Sequence, residues 1–306
     1  MVDRVLVTLD GEVRDADAPL LFADDIGVLR GDGVFETILV RDGTARALEF
    51  HLGRLRRSAQ ALDLPEPELG RWREAVETAA KEWGSEREGV LRLVLTRGRD
   101  SEFSGGRSSV TSGDLAAAVP VPTSYVLVLP VPERVAQARA EGVKVVSLSR
   151  GISIDLAQAA PWQLLGAKTL SYATNMAALR FAHRMGADDV IFTSTENRVL
   201  EGPRSSVVIA RDKTFLTPPA KNGVLPGVTQ RALFVEAEKA GWECRYEQLF
   251  TADLLTCDSI WLLSSITLAA RVNSLDGLRM MAPDNAEEIT ALVDKGIERT
   301  GTVGDW

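Results

Sequence analysis

Cysteine and histidine are scarce in this sequence: two of each in 306 residues, Cys244, Cys257, His51 and His183. Two cysteines cannot build a disulfide framework, so reduced thiols in a cytoplasmic protein are expected. No Cys or His cluster has ligand spacing, which argues against zinc, and no metal is expected. Long apolar runs are also lacking. The opening MVDRVLVTLDGEV has no apolar h-region, and no run approaches the roughly eighteen residues of a membrane span, so neither a signal peptide nor a membrane partner is expected. Basic runs are short, none longer than Arg56-Arg57, in a chain of net charge −8. A nucleic-acid binder would need a basic face, so that class is set aside. What is present is ordinary globular usage, 45% hydrophobic and 25% charged, which excludes a disordered or fibrous chain.

The length favours two domains. Strand-like runs at Val5–Thr8, Val34–Val40, Gly89–Thr96 and Ser124–Leu129 alternate with helical patterns at Phe50–Leu62 and Arg71–Trp83. Arg41-Asp42-Gly43 reads as a hairpin turn. Residues 97–114 are rich in Gly, Ser and charge and read as a mobile loop. Pro130-Val131-Pro132 stiffens the chain and removes backbone donors. Residues 1–129 therefore form a small N-terminal α/β domain, 130–136 a linker, and 137–306 a larger C-terminal mixed-sheet domain. In the second half, strands are expected at Val143–Leu148, Val190–Ser194, Val199–Glu201, Ser206–Ala210, Thr214–Leu216 and Ser259–Leu263, the last buried on both faces. Helices are expected at Leu170–Arg184, Val228–Ala240 and Ala286–Arg299, and Asp276-Gly277 marks a second hairpin turn. The class is α/β (α+β).

Two glycine motifs carry no function. Gly31-Asp32-Gly33 lacks the third glycine of a dinucleotide fingerprint and precedes a strand. Gly166-Ala167-Lys168-Thr169 lacks the glycine spacing of a P-loop. Lys168 itself follows the apolar Pro161-Trp162-Gln163-Leu164-Leu165, where lost solvation favours a neutral, nucleophilic amine able to condense with aldehydes, although a surface lysine fits this segment too. Val199-Leu200-Glu201-Gly202 sets one acid in an apolar context, which demands a cationic or proton-donating partner. Gly223-Val224-Leu225-Pro226-Gly227-Val228-Thr229 offers N–H groups and a hydroxyl at a helix start, a phosphate cradle. Ser264-Ser265-Ile266-Thr267 adds hydroxyls at a strand end. A lysine, a buried acid and a phosphate cradle are what pyridoxal phosphate requires.

From about residue 5 to residue 277 the sequence resembles the fold-type IV, class IV pyridoxal-phosphate enzymes. These include branched-chain aminotransferases, D-amino-acid aminotransferases and 4-amino-4-deoxychorismate lyases. The carriers are Arg30-Gly31-Asp32-Gly33-Val34-Phe35-Glu36-Thr37, His51-Leu52-Gly53-Arg54-Leu55, Thr96-Arg97-Gly98, Ala167-Lys168-Thr169-Leu170-Ser171-Tyr172, Leu200-Glu201-Gly202, Leu216-Thr217-Pro218-Pro219 and Leu225-Pro226-Gly227-Val228-Thr229. Their order and spacing carry the resemblance, no one of them alone.

The resemblance implies a role for each matched residue. Lys168 is the Schiff-base lysine and moves the substrate α-proton. Glu201 keeps the pyridine nitrogen protonated. Arg54, Gly227, Val228 and Thr229 hold the phosphate, helped by Ser265, Ile266 and Thr267. Tyr172 meets the phenolic oxygen, and Ser206 contributes to the cofactor site. Arg30, Phe35 and Arg97 are the substrate-side candidates, the two arginines for a carboxylate; Arg99 and Arg107 are weaker ones. The sequence departs from the family at Ser206 and Val208, where asparagine and an aromatic are usual, at Gln230, where a basic residue is usual, and at Arg30, often aromatic in relatives. Ser264-Ser265 and Thr96-Arg97-Gly98 favour a D-amino-acid transaminase acting on an amino donor and a 2-oxo acid. The alternative is 4-amino-4-deoxychorismate lyase, which eliminates pyruvate to give 4-aminobenzoate. Branched-chain or amine transaminases and a non-catalytic carrier follow. A homodimer is implied by the resemblance.

Overall fold

The computed structural model describes residues 3–100 and 121–298. Its contacts group the chain into two units. The first runs to Val131 and also takes Ala167–Tyr172; the second holds Pro132–Gly166 and the chain from Ala173.

The first unit is built on an antiparallel sheet of β1 (Val5–Thr8), β2 (Val13–Arg14), β3 (Gly33–Arg41), β4 (Thr44–Ala45), β5 (Gly89–Thr96) and β6 (Ser124–Pro130), in the order β2-β1-β6-β5-β3-β4. Its helices are α1 (Ile26–Arg30), α2 (Leu48–Ala61) and α3 (Leu69–Trp83). The two-residue period puts Val34, Glu36, Ile38 and Val40 on one face of β3, and all four are buried. α3 buries Trp72, Ala75, Val76, Ala79, Ala80 and Trp83, a stripe at helical spacing, and packs against β1 and β6; α2 lies against β3. Asp42 (φ 53°) and Gly43 (φ 68°) form the two-residue turn between β3 and β4, both left-handed as a type I′ turn requires.

The second unit holds β7 (Val143–Ser149), β8 (Asp189–Thr193), β9 (Ser206–Arg211), β10 (Thr214–Thr217), β11 (Glu243–Tyr246), β12 (Ser259–Ser264), β13 (Leu268–Leu275) and β14 (Leu278–Arg279). The order is β11-β10-β9-β12-β13-β7-β8, with β14 on β13. Pairing is parallel at β10–β11, β13–β7 and β7–β8 and antiparallel elsewhere. The helices are α4 (Glu133–Glu141), α5 (Leu156–Ala159), α6 (Ala173–Arg184), α7 (Val228–Lys239), α8 (Thr251–Thr256) and α9 (Ala286–Ile297). α7 packs against α9. β12 lies between β9 and β13 with Ser259–Leu263 buried, as its continuous apolar run requires.

The boundary between the units falls after Val131, inside the segment 130–136 expected as the linker, and α4 begins within it at Glu133 behind Pro132, since proline suits a helix start. Three expectations change. Lys168 groups with the first unit, not with residues 137–306. The helix expected from Leu170 begins at Ala173, because the Leu170 N–H donates instead to the Gly33 carbonyl (2.8 Å). Val199–Glu201 is not a strand: Leu200 N–H donates to Phe192 and Phe192 N–H to Glu201, a local fold-back on β8. Of the expected loop 97–114, residues 101–114, with Arg107, lie outside the described residues.

Candidate active site

The first unit supplies a buried ionic cluster and the lysine. Glu36 is fully buried on the inner face of β3. Arg54 donates to both its oxygens, Nε to Oε1 at 2.8 Å and Nη2 to Oε2 at 2.7 Å, and His51 Nδ1 lies 2.8 Å from Oε2. Burial alone would raise the Glu36 pKa; the Arg54 guanidinium and the hydrogen bonds from Arg54 and His51 outweigh it and hold the carboxyl far below the usual range. Burial lowers the His51 pKa despite the Glu36 carboxylate, and because a carboxylate only accepts, Nδ1–H is the donor in this contact.

His51, Arg54 and Ser58 follow at helical spacing along one side of α2. Ser58 Oγ accepts the Lys168 N–H at 3.1 Å. The Lys168 carbonyl accepts from Phe35 N–H at 3.1 Å, and Val34 bridges to Thr169. The lysine segment therefore adds to the part of β3 that β4 leaves uncovered. Lys168 Nζ lies 4.4 Å from the Phe35 ring centroid and 5.9 Å from that of Tyr172, and the two rings meet edge to face at 5.5 Å. Within the apolar run expected to desolvate the lysine, Trp162 is 73% exposed. Phe35 and Tyr172 are apolar neighbours of its amine.

The substrate arginines separate. Arg97 Nε and Nη2 grip the Asp32 carboxylate at 2.6 and 3.2 Å, while Nη1 and Nη2 donate to the carbonyls of Asp63 and Leu62. These bonds tie the end of β5 to the end of α2, and the guanidinium expected to meet a carboxylate substrate is engaged by them here. Thr96 Oγ1 donates to Asp25, the buried N-cap of α1. Arg99 pairs with Asp24. Arg30 is exposed, 3.7 Å from Asp100.

Taken by itself, the second unit holds the Glu201 carboxylate and an anion cradle. Glu201 Oε1 accepts from Arg150 Nη1 at 2.8 Å and Oε2 from the Leu225 N–H at 2.9 Å. Arg150 is thus the cationic partner that a buried acid demands, and nothing in the local sequence marks it. At the start of α7, Gly227 provides no side-chain cap, so the first N–H groups are left for an anion. A Cβ on Gly227 would collide with Ser206 Oγ, which brings Ser206 against this helix start. Ser206 pairs with Leu263 across β9 and β12, so the Ser264–Thr267 turn leaves the sheet at the same end; there Thr267 N–H donates to Ser264 Oγ at 3.2 Å. Bare helix N–H groups and hydroxyls around a glycine fit a phosphate dianion. Among the described residues no His, Cys, Asp or Glu group stands ready to hold a metal, and no helix is long and apolar enough to cross a membrane.

The amino-transferase class IV family model matches residues 33–275. The chain belongs to the class IV amino-transferases. A bifunctional aminodeoxychorismate lyase / D-amino acid transaminase of Mycobacterium tuberculosis is 50% identical over 302 residues, covering 96% of this amino-transferase and 99% of the relative. Solved structures of a hypothetical aminotransferase from that organism superpose with TM-score 0.88 in a PLP-bound form (51% identical) and 0.89 in an alpha-ketoglutarate and PMP bound form (52%). Each covers 96% of this chain and 98% of the other. A fold IV-transaminase from Curtobacterium pusillum gives 0.86 at 38% identity, covering 98% and 99%. The two-sheet mixed α/β architecture is that of the fold-type IV class.

Two predictions follow from the cluster and from Arg97. Both Glu36 and His51 have folded pKa values below their ordinary ones, so their contribution to stability is full above those values and lost as pH falls. The melting temperature is expected to drop first below the ordinary histidine value of 6.5 and further below the carboxyl value of 4.5. Glu36→Gln is expected to cost about 3 kcal/mol in denaturant titrations, since it strands the Arg54 charge, and to flatten the lower limb of that profile. Arg97→Ala is expected to cost about 2 kcal/mol while the KM values for a carboxylate donor and a simple amine move together. A rise confined to the carboxylate donor would identify Arg97 as the carboxylate clamp.

Proposed function

We propose that this pyridoxal-phosphate enzyme transfers the amino group of a D-amino acid to a 2-oxo acid, and that the same lysine serves elimination of pyruvate from 4-amino-4-deoxychorismate. The observation that carries the proposal is Lys168, pinned at both backbone groups with its Nζ against Phe35 and Tyr172. The relative bearing both activities in its name, 50% identical over nearly its whole length, supports the pairing. The alpha-ketoglutarate in a related structure supports a 2-oxo acid acceptor.

When bound, pyridoxal phosphate supplies an aldehyde to receive the amine and a protonated ring to store electrons. Lys168 holds it through Nζ and, once displaced, takes the proton from the substrate Cα and returns it as an acid. Glu201, held by hydrogen bonds from Arg150 and the Leu225 N–H, is placed to hold a proton at the ring nitrogen. Arg54, Gly227, Val228, Thr229, Ser206, Ser265, Ile266 and Thr267 bind the phosphate. Tyr172 hydrogen-bonds the phenolic oxygen, and Arg30 and Phe35 serve the substrate. Storage alone needs no acid at the ring nitrogen, so the Glu201–Arg150 pair favours catalysis over a carrier. The enzyme works as a homodimer in the cytoplasm, a reading supported by exposed Phe22, Val28 and Leu29 and by the free Cys244 and Cys257.

Purified holoenzyme is expected to be yellow and to bleach on addition of D-alanine alone, and to release pyruvate from aminodeoxychorismate. Lys168→Ala is expected to fold and to lose both activities. Bleaching by L-leucine or a chiral amine but not by any D-amino acid would replace the substrate assignment. Colour with no amine-dependent change would leave a carrier.

A further inference from the structure

Lys168 emerges from the second unit's chain into a stretch of only a few residues that pairs with the first unit's sheet. Its carbonyl and the Leu170 N–H bond to β3, and the Lys168 N–H donates to Ser58 Oγ on α2. Ser58 is buried, 3% exposed, on the side of α2 that also carries His51 and Arg54. Those two residues hold α2 to β3 through Glu36, and β3 holds the lysine carbonyl. Helix, strand and lysine segment thus close a ring of contacts, and Ser58 is the link between helix and lysine.

We infer that Ser58 is a positioning residue: its hydroxyl fixes the lysine backbone and thereby the arc over which Nζ reaches its carbon and proton targets. The inference rests on the proposed role of Lys168. A small displacement of a reacting group costs rate more than binding, so the signature is a fall in kcat and in cofactor attachment with little change in KM. A hydroxyl that only satisfies a buried N–H would lower stability and leave those rates alone.

The test uses the full chain loaded with pyridoxal phosphate. Ser58→Ala is expected to capture added cofactor in the borohydride-reducible linkage at Lys168 about tenfold more slowly, and to lose about tenfold in kcat with D-alanine and alpha-ketoglutarate, while the D-alanine KM moves less than about twofold. Ser58→Thr keeps the acceptor oxygen and is expected to recover both rates; its isostere Ser58→Val is not. If the alanine variant does not fold, the Thr and Val pair decides. Attachment and kcat equal to wild type in Ser58→Ala, or equal in the Thr and Val variants, overturn the inference. A wild-type enzyme in which borohydride labels no Lys168 overturns the underlying role of the lysine, a result distinct from labelled wild type with unchanged variants.

Discussion

The chemistry depends on an open length of sheet edge. β4 covers only the Val40–Arg41 end of β3, and the Gly33–Phe35 end keeps unpaired backbone groups. Such an edge is a template for another extended segment, and Lys168–Leu170 takes it. Gly33 makes the approach feasible: a Cβ there would lie 2.7 Å from both a Leu170 methyl and the Leu95 carbonyl. The reactive lysine is therefore held by the first unit's sheet, although the chain on either side of it belongs to the second. Two ladder bonds alone would fray. The Ser58 bond adds a third, from a different element, and so fixes rotation about the segment as well as its distance from β3.

That third element is itself fixed by a charge placed where charge is expensive. A carboxylate in the interior costs several kcal/mol unless its oxygens are satisfied. Glu36 meets this with a two-pronged guanidinium and an imidazole donor, all within 2.8 Å. Apolar residues at these positions would also pack α2 onto β3, but they would permit sliding. Three directional bonds set the register of helix on strand, so the helix face that reaches Lys168 arrives at one height only. The cost is sensitivity to acid, because the folded state holds the pKa values of both Glu36 and His51 below their ordinary ones.

Much of this was legible in the sequence, for identifiable reasons. Asp42-Gly43 and Asp276-Gly277 announce tight hairpins because both turn residues need left-handed backbone, and both turns form. The alternation Val34, Glu36, Ile38, Val40 already placed an acid among core residues, and the spacing of His51, Arg54 and Ser58 already placed them on one side of a helix. Reading those two patterns together would have exposed the cluster. Other features had no local signal. β13 and β11 carry too few apolar alternations to stand out, and Arg150 lies some fifty residues from Glu201 in a polar bend. The Lys168 segment looks helical from its neighbours, and only the vacant edge of β3, a tertiary fact, makes it extended.

The arginines show why a shared motif does not by itself assign a substrate contact. Thr96-Arg97-Gly98 fits the family pattern, yet Arg97 spends its guanidinium on one carboxylate and two carbonyls with its side chain 15% exposed. Redirecting it to a substrate would break charged hydrogen bonds worth roughly 1.5–3 kcal/mol each, and binding energy would be consumed in the exchange. Arg30 presents the opposite case. Its side chain is 61% exposed and its ion pair with Asp100 is long, at 3.7 Å. Exposed pairs of this kind contribute about 0–1 kcal/mol, so an incoming carboxylate can displace the partner at little cost. Between two arginines offered by sequence alone, the difference in what each must give up favours Arg30 as the residue that meets a substrate and Arg97 as the one that keeps the first unit's sheet and helix in register.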